Sequence, residues 1–318
     1  MKNSTRCPTL AELPPPPPGK LGWPWTEETP EASRVSGSDS EQTTSWPLVT
    51  IVTPSYNQGQ FIEETIRSVL LQGYPNLEYI IIDGSSKDNS VEIIRKYESW
   101  LSYWVTEPDL GQSHAINKGL ARSRGEILAW LNSDDVYLRG TLRKIAHAFR
   151  THGDVCLVHG DAVYTDKDSF PLPLGIYRSK ETSLLTKLEY WRGWDIPQPA
   201  VFFRRTLYDH LGELDQALHY ALDYDYFLRA AFHYPFHHVP ETLATYRLHE
   251  SSKTGVGESQ KVFFYAECRQ AVRRYVKINT LLYWRWRLRY ALRGPLGFYY
   301  RHRRTGRKLL NRLRKLKE

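Results

Sequence analysis

Residues 48–150 alternate short apolar runs with helix-like patterns, and this alternation constrains the fold more than any other feature of the chain. Apolar residues recur at helical spacing between the runs, as at Ile62 and Ile66, and Asn89 with Glu92 predicts a capping box where a helix begins. Strands that alternate with helices predict an α/β fold with a doubly wound, mostly parallel sheet flanked by helices. The runs that predict buried strands are residues 48–52, 77–82, 103–106 and 126–131.

Each of these runs leads into a cluster of polar residues. The carboxyl ends of parallel strands lie at one edge of a sheet, and ligands bind in the crevice beyond that edge. We therefore expect the four clusters to form one rim that binds a polar ligand. The clusters are Ser55-Tyr56-Asn57, Asp83-Gly84-Ser85, Glu107-Pro108-Asp109 and Asn132-Ser133-Asp134-Asp135.

The last cluster contains two adjacent acids, Asp134 and Asp135. Mg²⁺ and Mn²⁺ prefer oxygen ligands, commonly one or two carboxylates together with the phosphate oxygens of a substrate. Adjacent acids in a loop also serve as helix caps, so the metal interpretation depends on their position at the rim. The first strand is not followed by a Gly-x-Gly-x-x-Gly motif, which argues against a nicotinamide-dependent dehydrogenase.

The order and spacing of five motifs resemble glycosyltransferase family 2, which has the fold called GT-A. The resemblance is specific over residues 48–150 and weaker to about residue 250. It implies an enzyme similar to bacterial cell-surface polysaccharide glycosyltransferases, which moves a sugar from a nucleotide-sugar donor to a glycan or lipid-linked acceptor hydroxyl. It also implies inversion and a divalent metal, Mn²⁺ or Mg²⁺. The motifs are Val49-Thr50-Ile51-Val52-Thr53-Pro54-Ser55-Tyr56-Asn57, Asp83-Gly84-Ser85-Ser86-Lys87-Asp88, Gly111-Gln112-Ser113 with Asn117-Lys118-Gly119, Gly125-Glu126, and Leu131-Asn132-Ser133-Asp134-Asp135.

The same resemblance implies roles for individual side chains. Asp223 matches the general base that takes the proton of the acceptor hydroxyl. Asp134 matches the direct metal ligand, with Asp135 and His249 as further candidates. The residues expected to bind the nucleotide sugar are Ser55, Tyr56, Asn57, Asp83, Gln112, Asn132 and Asp134.

Three positions depart from the family's pattern. Gly84 stands where a second acid is common, Asn132 replaces the first acid of the metal motif, and Leu222 replaces a Glu before the base. The departures leave open a non-catalytic member that binds a nucleotide or glycan without turnover. A nucleotidyltransferase, which releases pyrophosphate, is a further alternative. Asp223 also suits a helix cap, and His249 an ordinary surface residue.

Fewer sequence features indicate where the acceptor binds. Gln198-Pro199 falls where the family shapes its acceptor pocket. Trp191 and Trp194 lie just before it, and their rings suit either stacking on a sugar or packing in the core.

The net charge of +8 is unevenly distributed. Residues 281–318 hold 13 of the 43 Lys and Arg residues and one acid, so the rest of the chain has 30 basic and 34 acidic residues. The basic residues of this segment alternate with Trp and Tyr, a composition typical of a helix at an anionic membrane surface. RNA would contact the same groups, and a helix packed on the body is the plainer alternative. The mildly acidic body does not indicate a nucleic-acid partner.

The ends of the chain differ in composition from its middle. Residues 1–46, with the proline run from Pro14 to Pro18, predict a disordered leader. We expect the GT-A domain over residues 47–255 and a helical, basic and aromatic extension over 256–318. The three cysteines are far apart and suggest neither disulfides nor a zinc site. With no apolar run of about 20 residues, we expect a cytoplasmic protein, peripheral on the inner face of the membrane.

Overall fold

The computed structural model describes residues 6–29, 46–179, 184, 188, 196–250, 252–253, 257–277 and 280–293. Everything stated below about the structure concerns these residues. Trp191 and Trp194 lie outside them, as do residues 1–5, 30–45 and 294–318.

The first half of the domain has the predicted alternation of strands and helices. Four neighbouring strands, in the order β3–β2–β1–β4, are all parallel. Strands β1, β2 and β4 are buried because helices cover both faces of the sheet, which explains their largely apolar sequences, whereas β3 is only partly buried. The elements are β1 (Val49–Ser55), α1 (Ile62–Leu70), β2 (Leu77–Asp83), α2 (Ser90–Lys96), β3 (Tyr103–Thr106), α3 (Gln112–Arg122) and β4 (Ile127–Trp130).

The second half extends the same sheet with mixed pairing. From β4 the order continues β8–β6–β9–β5, and β7 pairs with β6 as an antiparallel hairpin. Strand β8 is antiparallel to both β4 and β6, whereas β9 is parallel to β6. The elements are β5 (Val136–Tyr137), α4 (Thr141–Thr151), β6 (Leu157–Thr165), β7 (Pro171–Tyr177), β8 (Val201–Arg204), α5 (Arg205–Leu211), α6 (Leu222–His233) and β9 (Phe236–Arg247).

The sheet separates two hydrophobic clusters. Alternate residues of β1 face opposite sides, so that Ile51 packs with α1, α2 and α4, and Val52 packs with α3, α5 and α6. This period-two division over a sheet covered on both faces confirms the predicted doubly wound α/β architecture.

Two C-terminal helices, α7 (Gly257–Tyr275) and α8 (Leu281–Arg293), pack on the body of the protein. A third hydrophobic cluster joins Tyr224 and Leu228 of α6 to Cys268 and Val272 of α7 and to Trp286 of α8. The first part of the predicted basic extension is therefore helical and attached through an apolar face. No helix among the described residues is long and apolar enough to cross a membrane.

The expectation of a disordered leader is wrong for residues 6–29, which pack on the domain. Cys7, Leu13 and Trp25 are buried. The guanidinium of Arg67, itself fully buried, donates to the carbonyl oxygens of Pro14, Pro24 and Trp25 at 2.8, 3.0 and 2.9 Å. An extended proline-rich segment has many unpaired carbonyl groups, and the five donors of an arginine can satisfy several of them at once.

None of the three cysteines, all of which lie in the described ranges, forms a disulfide, and Cys7 and Cys268 are buried.

Candidate functional site

The four polar clusters lie together at the carboxyl edge of the parallel strands, as predicted. The backbone links the loops, since the N–H of Gly84 donates to the Ser55 carbonyl at 2.8 Å and the N–H of Glu107 donates to the Asp83 carbonyl at 3.0 Å. The N–H of Leu131 donates to the Val52 carbonyl at 2.9 Å. One continuous rim therefore carries the residues that the sequence singles out.

The loop after β1 is held in place by the loop after β2. Asn57 has a φ of 52°, a left-handed conformation that Asn tolerates better than most residues. Its N–H donates to Ser86 Oγ at 2.8 Å, and its Oδ1 accepts from the N–H of Lys87 at 2.8 Å. Tyr56 beside it is 59% exposed, and Ser55 is buried. Asn57 is exposed as well, so Tyr56 and Asn57 are the two side chains of this loop that a ligand can reach.

Asp83 is fully buried and holds its own loop together. Its carboxylate accepts from the N–H of Ser86 at 2.9 Å, from Ser86 Oγ and from Thr106 Oγ1 at 2.7 Å. Both oxygens are thus engaged within the protein, and contact of Asp83 with a nucleoside stays a prediction.

Gly84 stands where the family commonly has a second acid, and a carboxylate from the loop after β3 lies beside it. A Cβ placed on Gly84 would lie 2.5 Å from Oδ2 of Asp109. The carboxylate of Asp109 is held there because its Oδ1 accepts from the N–H of Gly111 at 2.8 Å. Gly84 therefore leaves room for a carboxylate that comes from the next strand, a relation that sequence spacing does not show.

Asn132 is the centre of an amide network. Its Oδ1 accepts from Gln112 Nε2 at 2.7 Å, and its Nδ2 donates to Gln198 Oε1 at 3.0 Å. Gln198 is buried and donates in turn to the Trp130 carbonyl at 2.9 Å. An amide can donate and accept at the same time, whereas an ionised acid at this position only accepts. This explains why Asn suits a position where the family often has an acid.

The adjacent acids Asp134 and Asp135 have different environments. Asp134 Oδ2 lies 3.0 Å from His249 Nε2, with the two side chains 18% and 5% exposed. Asp135 is buried, and its Oδ1 accepts from the N–H of Arg247 at 2.9 Å. Burial, reinforced by the negative charge of Asp134, raises the pKa of Asp135 well above its usual range. The structure thus pairs Asp134 with His249 and directs Asp135 into the protein.

Arg247, which the sequence interpretation passed over, supports this loop. Its side chain is 1% exposed, and its Nε donates to the Asp134 carbonyl at 2.6 Å. One terminal nitrogen lies 3.0 Å from Glu64 Oε2, and the other donates to the Lys167 carbonyl at 2.9 Å and to Ser169 Oγ at 2.8 Å. The arginine connects β9, α1 and the turn before β7 to the acidic loop. The signal available in the sequence was an arginine two residues before His249, a predicted metal ligand.

Asp223 lies in the first turn of α6 and is half-buried. Burial raises its pKa to about 6, against the opposing effects of a 2.7 Å hydrogen bond from the N–H of Tyr224 and of the nearby Lys253 charge. A carboxylate with this pKa is ionised at neutral pH and more basic than an ordinary Asp, which suits proton abstraction. Its neighbour Leu222, which replaces the family's Glu, packs in the core.

A chain of polar contacts connects the two sides of the site. The side-chain amide of Gln112 makes two contacts. Its Nε2 donates to Asn132, and its Oε1 accepts from Lys253 Nζ at 2.7 Å. Lys253 Nζ also donates to the His219 carbonyl at 2.8 Å, four residues before Asp223. Its positive charge interacts with Asp223 and with Asp134. The network brings the acidic loop and the start of α6 into one site.

Comparison with known proteins agrees with this geometry. The model of the family described as "Glycosyl transferase family 2" matches residues 50–212. An uncharacterized glycosyltransferase of Rickettsia typhi is 30% identical over 234 residues, 69% of this chain and 70% of its own length.

The chain belongs to glycosyl transferase family 2.

Other relatives and solved structures extend the comparison. TuaG of Bacillus subtilis, a glycosyltransferase assigned to teichuronic acid biosynthesis, is 40% identical over 105 residues, which is 32% of this chain and 42% of TuaG. Staphylococcus aureus TarS in complex with UDP-GlcNAc has a TM-score of 0.61 and 17% identity, with 79% of this chain and 74% of that chain covered. The Pyrobaculum calidifontis mannosyltransferase PcManGT, in complex with GDP-Man and Mn²⁺, has a TM-score of 0.59 and 20% identity, with 80% and 72% covered. The two structures confirm the predicted GT-A fold.

The residues of this family 2 glycosyltransferase fit a divalent cation only in part. No group of three or more His, Cys, Asp and Glu side chains in the described ranges is placed to hold a metal ion. The Asp134 carboxylate and the His249 imidazole are adjacent, with Oδ2 and Nε2 3.0 Å apart. Each of these two atoms can donate a lone pair to a cation when Nε2 carries no proton and the contact between them opens. Two protein ligands with diphosphate oxygens from the donor make a reasonable Mn²⁺ or Mg²⁺ site. Asp135 as a direct ligand stays a prediction, and its hydrogen bond to Arg247 argues for a supporting role.

Proposed function

We propose that the protein transfers a sugar from a nucleotide-sugar donor to an acceptor hydroxyl with inversion, using Asp223 as general base. The observation that carries the proposal is the connected arrangement of two chemically distinct sites. One is the Asp134–His249 pair, and the other is Asp223 with its raised pKa; the Gln112–Lys253 contacts connect them. A displacement reaction needs charge neutralisation at the leaving group and a base at the acceptor.

In the proposed reaction the acceptor oxygen forms a bond to the anomeric carbon while the bond from that carbon to the diphosphate breaks. The hydroxyl proton passes to the Asp223 carboxylate, and the bonding electrons leave with the nucleoside diphosphate. A divalent cation at Asp134 and His249 would neutralise part of the charge on the diphosphate. Lys253 provides a further positive charge close to both acidic centres. A single displacement with the base opposite the leaving group inverts the anomeric centre.

The donor's nucleoside is proposed to bind at the β1 and β2 loops. Tyr56 offers an exposed ring for stacking, and Asp109 offers a carboxylate in the space that Gly84 leaves. The TarS structure contains UDP-GlcNAc and the PcManGT structure contains GDP-Man, so the GT-A fold accepts different bases. We propose that the loops around Asp109 select the base of the donor.

The acceptor is proposed to be a glycan or a lipid-linked saccharide at an anionic membrane surface. Three apolar residues of α8, which we call the outer stripe, are exposed on the side away from the body. Arg285 and Arg287 beside them are exposed too, whereas Tyr283 and Trp286 face inward. Apolar and basic side chains on one helix surface suit an anionic lipid headgroup layer, and we propose a cytoplasmic, peripheral location on this basis. The outer stripe consists of Leu281, Trp284 and Leu288, 67%, 57% and 61% exposed.

A second candidate function is supported by two departures from the family's sequence pattern. Asn132 and Leu222 each replace an acid of the family pattern, and both are held by neighbours within the protein. This favours a member that binds a nucleotide sugar without turnover. Release of nucleoside diphosphate distinguishes the two functions directly.

The test measures nucleoside diphosphate release from a panel that includes UDP-GlcNAc and GDP-Man, with and without Mn²⁺. We expect turnover to rise with pH through about 6, because Asp223 must lose its proton to act as a base. Asp223→Asn should leave nucleotide affinity unchanged and slow turnover by roughly 10² to 10⁴. Asp134→Ala should abolish Mn²⁺-dependent nucleotide binding in calorimetry. Full turnover by the Asp223→Asn protein would exclude that residue as the base.

The control is Glu98→Gln. Glu98 is an exposed acid just before β3, at the edge of the sheet opposite the rim. The Glu98→Gln substitution should leave the nucleotide affinity, the turnover and the pH profile unchanged. Metal-dependent nucleotide binding with no diphosphate release from any donor in the panel would favour the non-catalytic alternative.

A further inference from the structure

The carboxylate of Glu267, on α7, binds the backbone that leads into α6. Its Oε1 accepts from the N–H of His219 at 3.1 Å, and its Oε2 accepts from the N–H groups of Tyr220 and Ala221 at 2.8 and 2.9 Å. These are the three residues immediately before α6, whose second residue is Asp223.

The start of α6 needs such a partner. The first N–H groups of a helix have no partner within the helix, and a Ser, Thr, Asp or Asn at the N-cap commonly satisfies one of them. The N-cap of α6 is Ala221, which makes no side-chain cap hydrogen bond. A carboxylate at this end also interacts favourably with the helix dipole. Glu267 brings a carboxylate to this end from a different helix, and it accepts from the N–H of the N-cap Ala221 and from the two N–H groups before it.

The position of Glu267 is set by the packing of α7. The next residue, Cys268, and Val272 one turn later are buried against Tyr224 and Leu228 of α6. Lys253 holds the same loop through the His219 carbonyl at 2.8 Å. The backbone before Asp223 is thus held by an anion at its N–H groups and by a cation at a carbonyl oxygen.

We propose that Glu267 is a positioning residue for the reaction, which fixes the backbone entering α6 and thereby the place of the Asp223 carboxylate. The proposal rests on the proposed function, since it assumes that Asp223 is the base. It makes α7, which lies beyond the 50–212 family match, part of the catalytic apparatus.

The charge of Glu267 also acts on Asp223. Burial is the main reason that the pKa of Asp223 is raised, and the negative charge of Glu267 raises it further, whereas the Lys253 charge lowers it. The Cys268 thiol of α7 is also close to Asp223, and burial raises the pKa of this thiol. On α6 itself, Asp225 is paired with Arg229 at 3.1 Å. Removal of the Glu267 charge should therefore lower the pKa of Asp223.

The experiment compares Glu267→Gln with Glu267→Asp in the full chain, with Glu98→Gln as control. For Glu267→Gln we expect unchanged KM for the donor, kcat lower by roughly 10-fold or more, and an acidic limb of the kcat profile shifted to lower pH by about half a unit. Glu267→Asp keeps the charge, so its acidic limb should stay in place even if kcat falls. A Gln variant with the wild-type kcat and acidic limb would overturn the proposal.

A second measurement tests the contact without relying on turnover. Hydrogen–deuterium exchange of Glu267→Ala should be faster at the amides of residues 219–221 than in wild type, with the exchange of β1 and β2 unchanged. Unchanged exchange at these amides would overturn the positioning role. If exchange rises as expected but no donor is turned over by wild type, the proposed function fails while the contact stands. If Asp223→Asn abolishes turnover and Glu267→Gln changes nothing, the positioning proposal alone fails.

Discussion

Replacing Arg247 by Met tests whether a buried ion pair supports the acidic loop. Arg247 and Glu64 are 1% and 7% exposed at the side chain and 3.0 Å apart, so Arg247→Met leaves a carboxylate buried without its counter-charge. Breaking such a pair by removing one partner typically costs about 3–5 kcal/mol. The carbonyl groups of Asp134 and Lys167 lose donors in addition, which places the expected loss in the upper part of that range. Met fills most of the volume, which limits any cavity effect.

The assay is urea unfolding of the wild type, Arg247→Met and the double variant Arg247→Met with Glu64→Gln, all at pH 7.5. The double variant should recover roughly 1 kcal/mol or more, because it no longer buries an unpaired charge. We also expect Arg247→Met to weaken Mn²⁺-dependent nucleotide binding at least tenfold, because the Asp134 loop loses its support. A destabilisation below about 1 kcal/mol, or strictly additive effects of the two substitutions, would refute the reasoning.

Two further predictions follow from the rim and from α8. Gly84→Asp should weaken nucleotide binding, because the new Cβ and negative charge would meet the Asp109 carboxylate. Adding Asp109→Gly to the same chain should restore the binding. Equal affinity of Gly84→Asp and wild type in calorimetry would show that the space beside Gly84 is not limiting. Serine at the three positions of the outer stripe should reduce co-sedimentation with anionic liposomes without changing the thermal midpoint, whereas Leu174→Ser, at a residue 66% exposed on β7, should not. Deleting the whole of residues 281–318 is a poorer test, because it would uncover the apolar face that Trp286 covers.

The local pattern predicts the first half of the fold well. Strands β1 to β4 are short apolar runs with helical periodicity between them, and these signals do not depend on distant residues. Strand β6 is not evident from the sequence, because His159, Gly160 and Asp161 interrupt its apolar pattern. These polar groups are accommodated by residues far along the chain, since His159 contacts Ser179 at 2.7 Å and Asp161 contacts His238 at 2.9 Å. The packing of residues 6–29 likewise depends on the buried Arg67, which lies in a different element.

The sequence by itself determined that the polar clusters meet at one edge, because parallel strands joined by right-handed crossovers leave no other arrangement. Only the tertiary structure decided which of those polar groups remain accessible. The carboxylates of Asp83 and Asp135 accept hydrogen bonds from the protein backbone, whereas the Asp134 carboxylate contacts His249, which lies 115 residues further along the chain. The physical reason is that a hydrogen bond depends on positions in space, and residues as distant as Glu267 and Ala221 become neighbours only when their helices pack. Periodicity in the sequence reports burial, but it does not report which polar partner a buried or half-buried side chain will find.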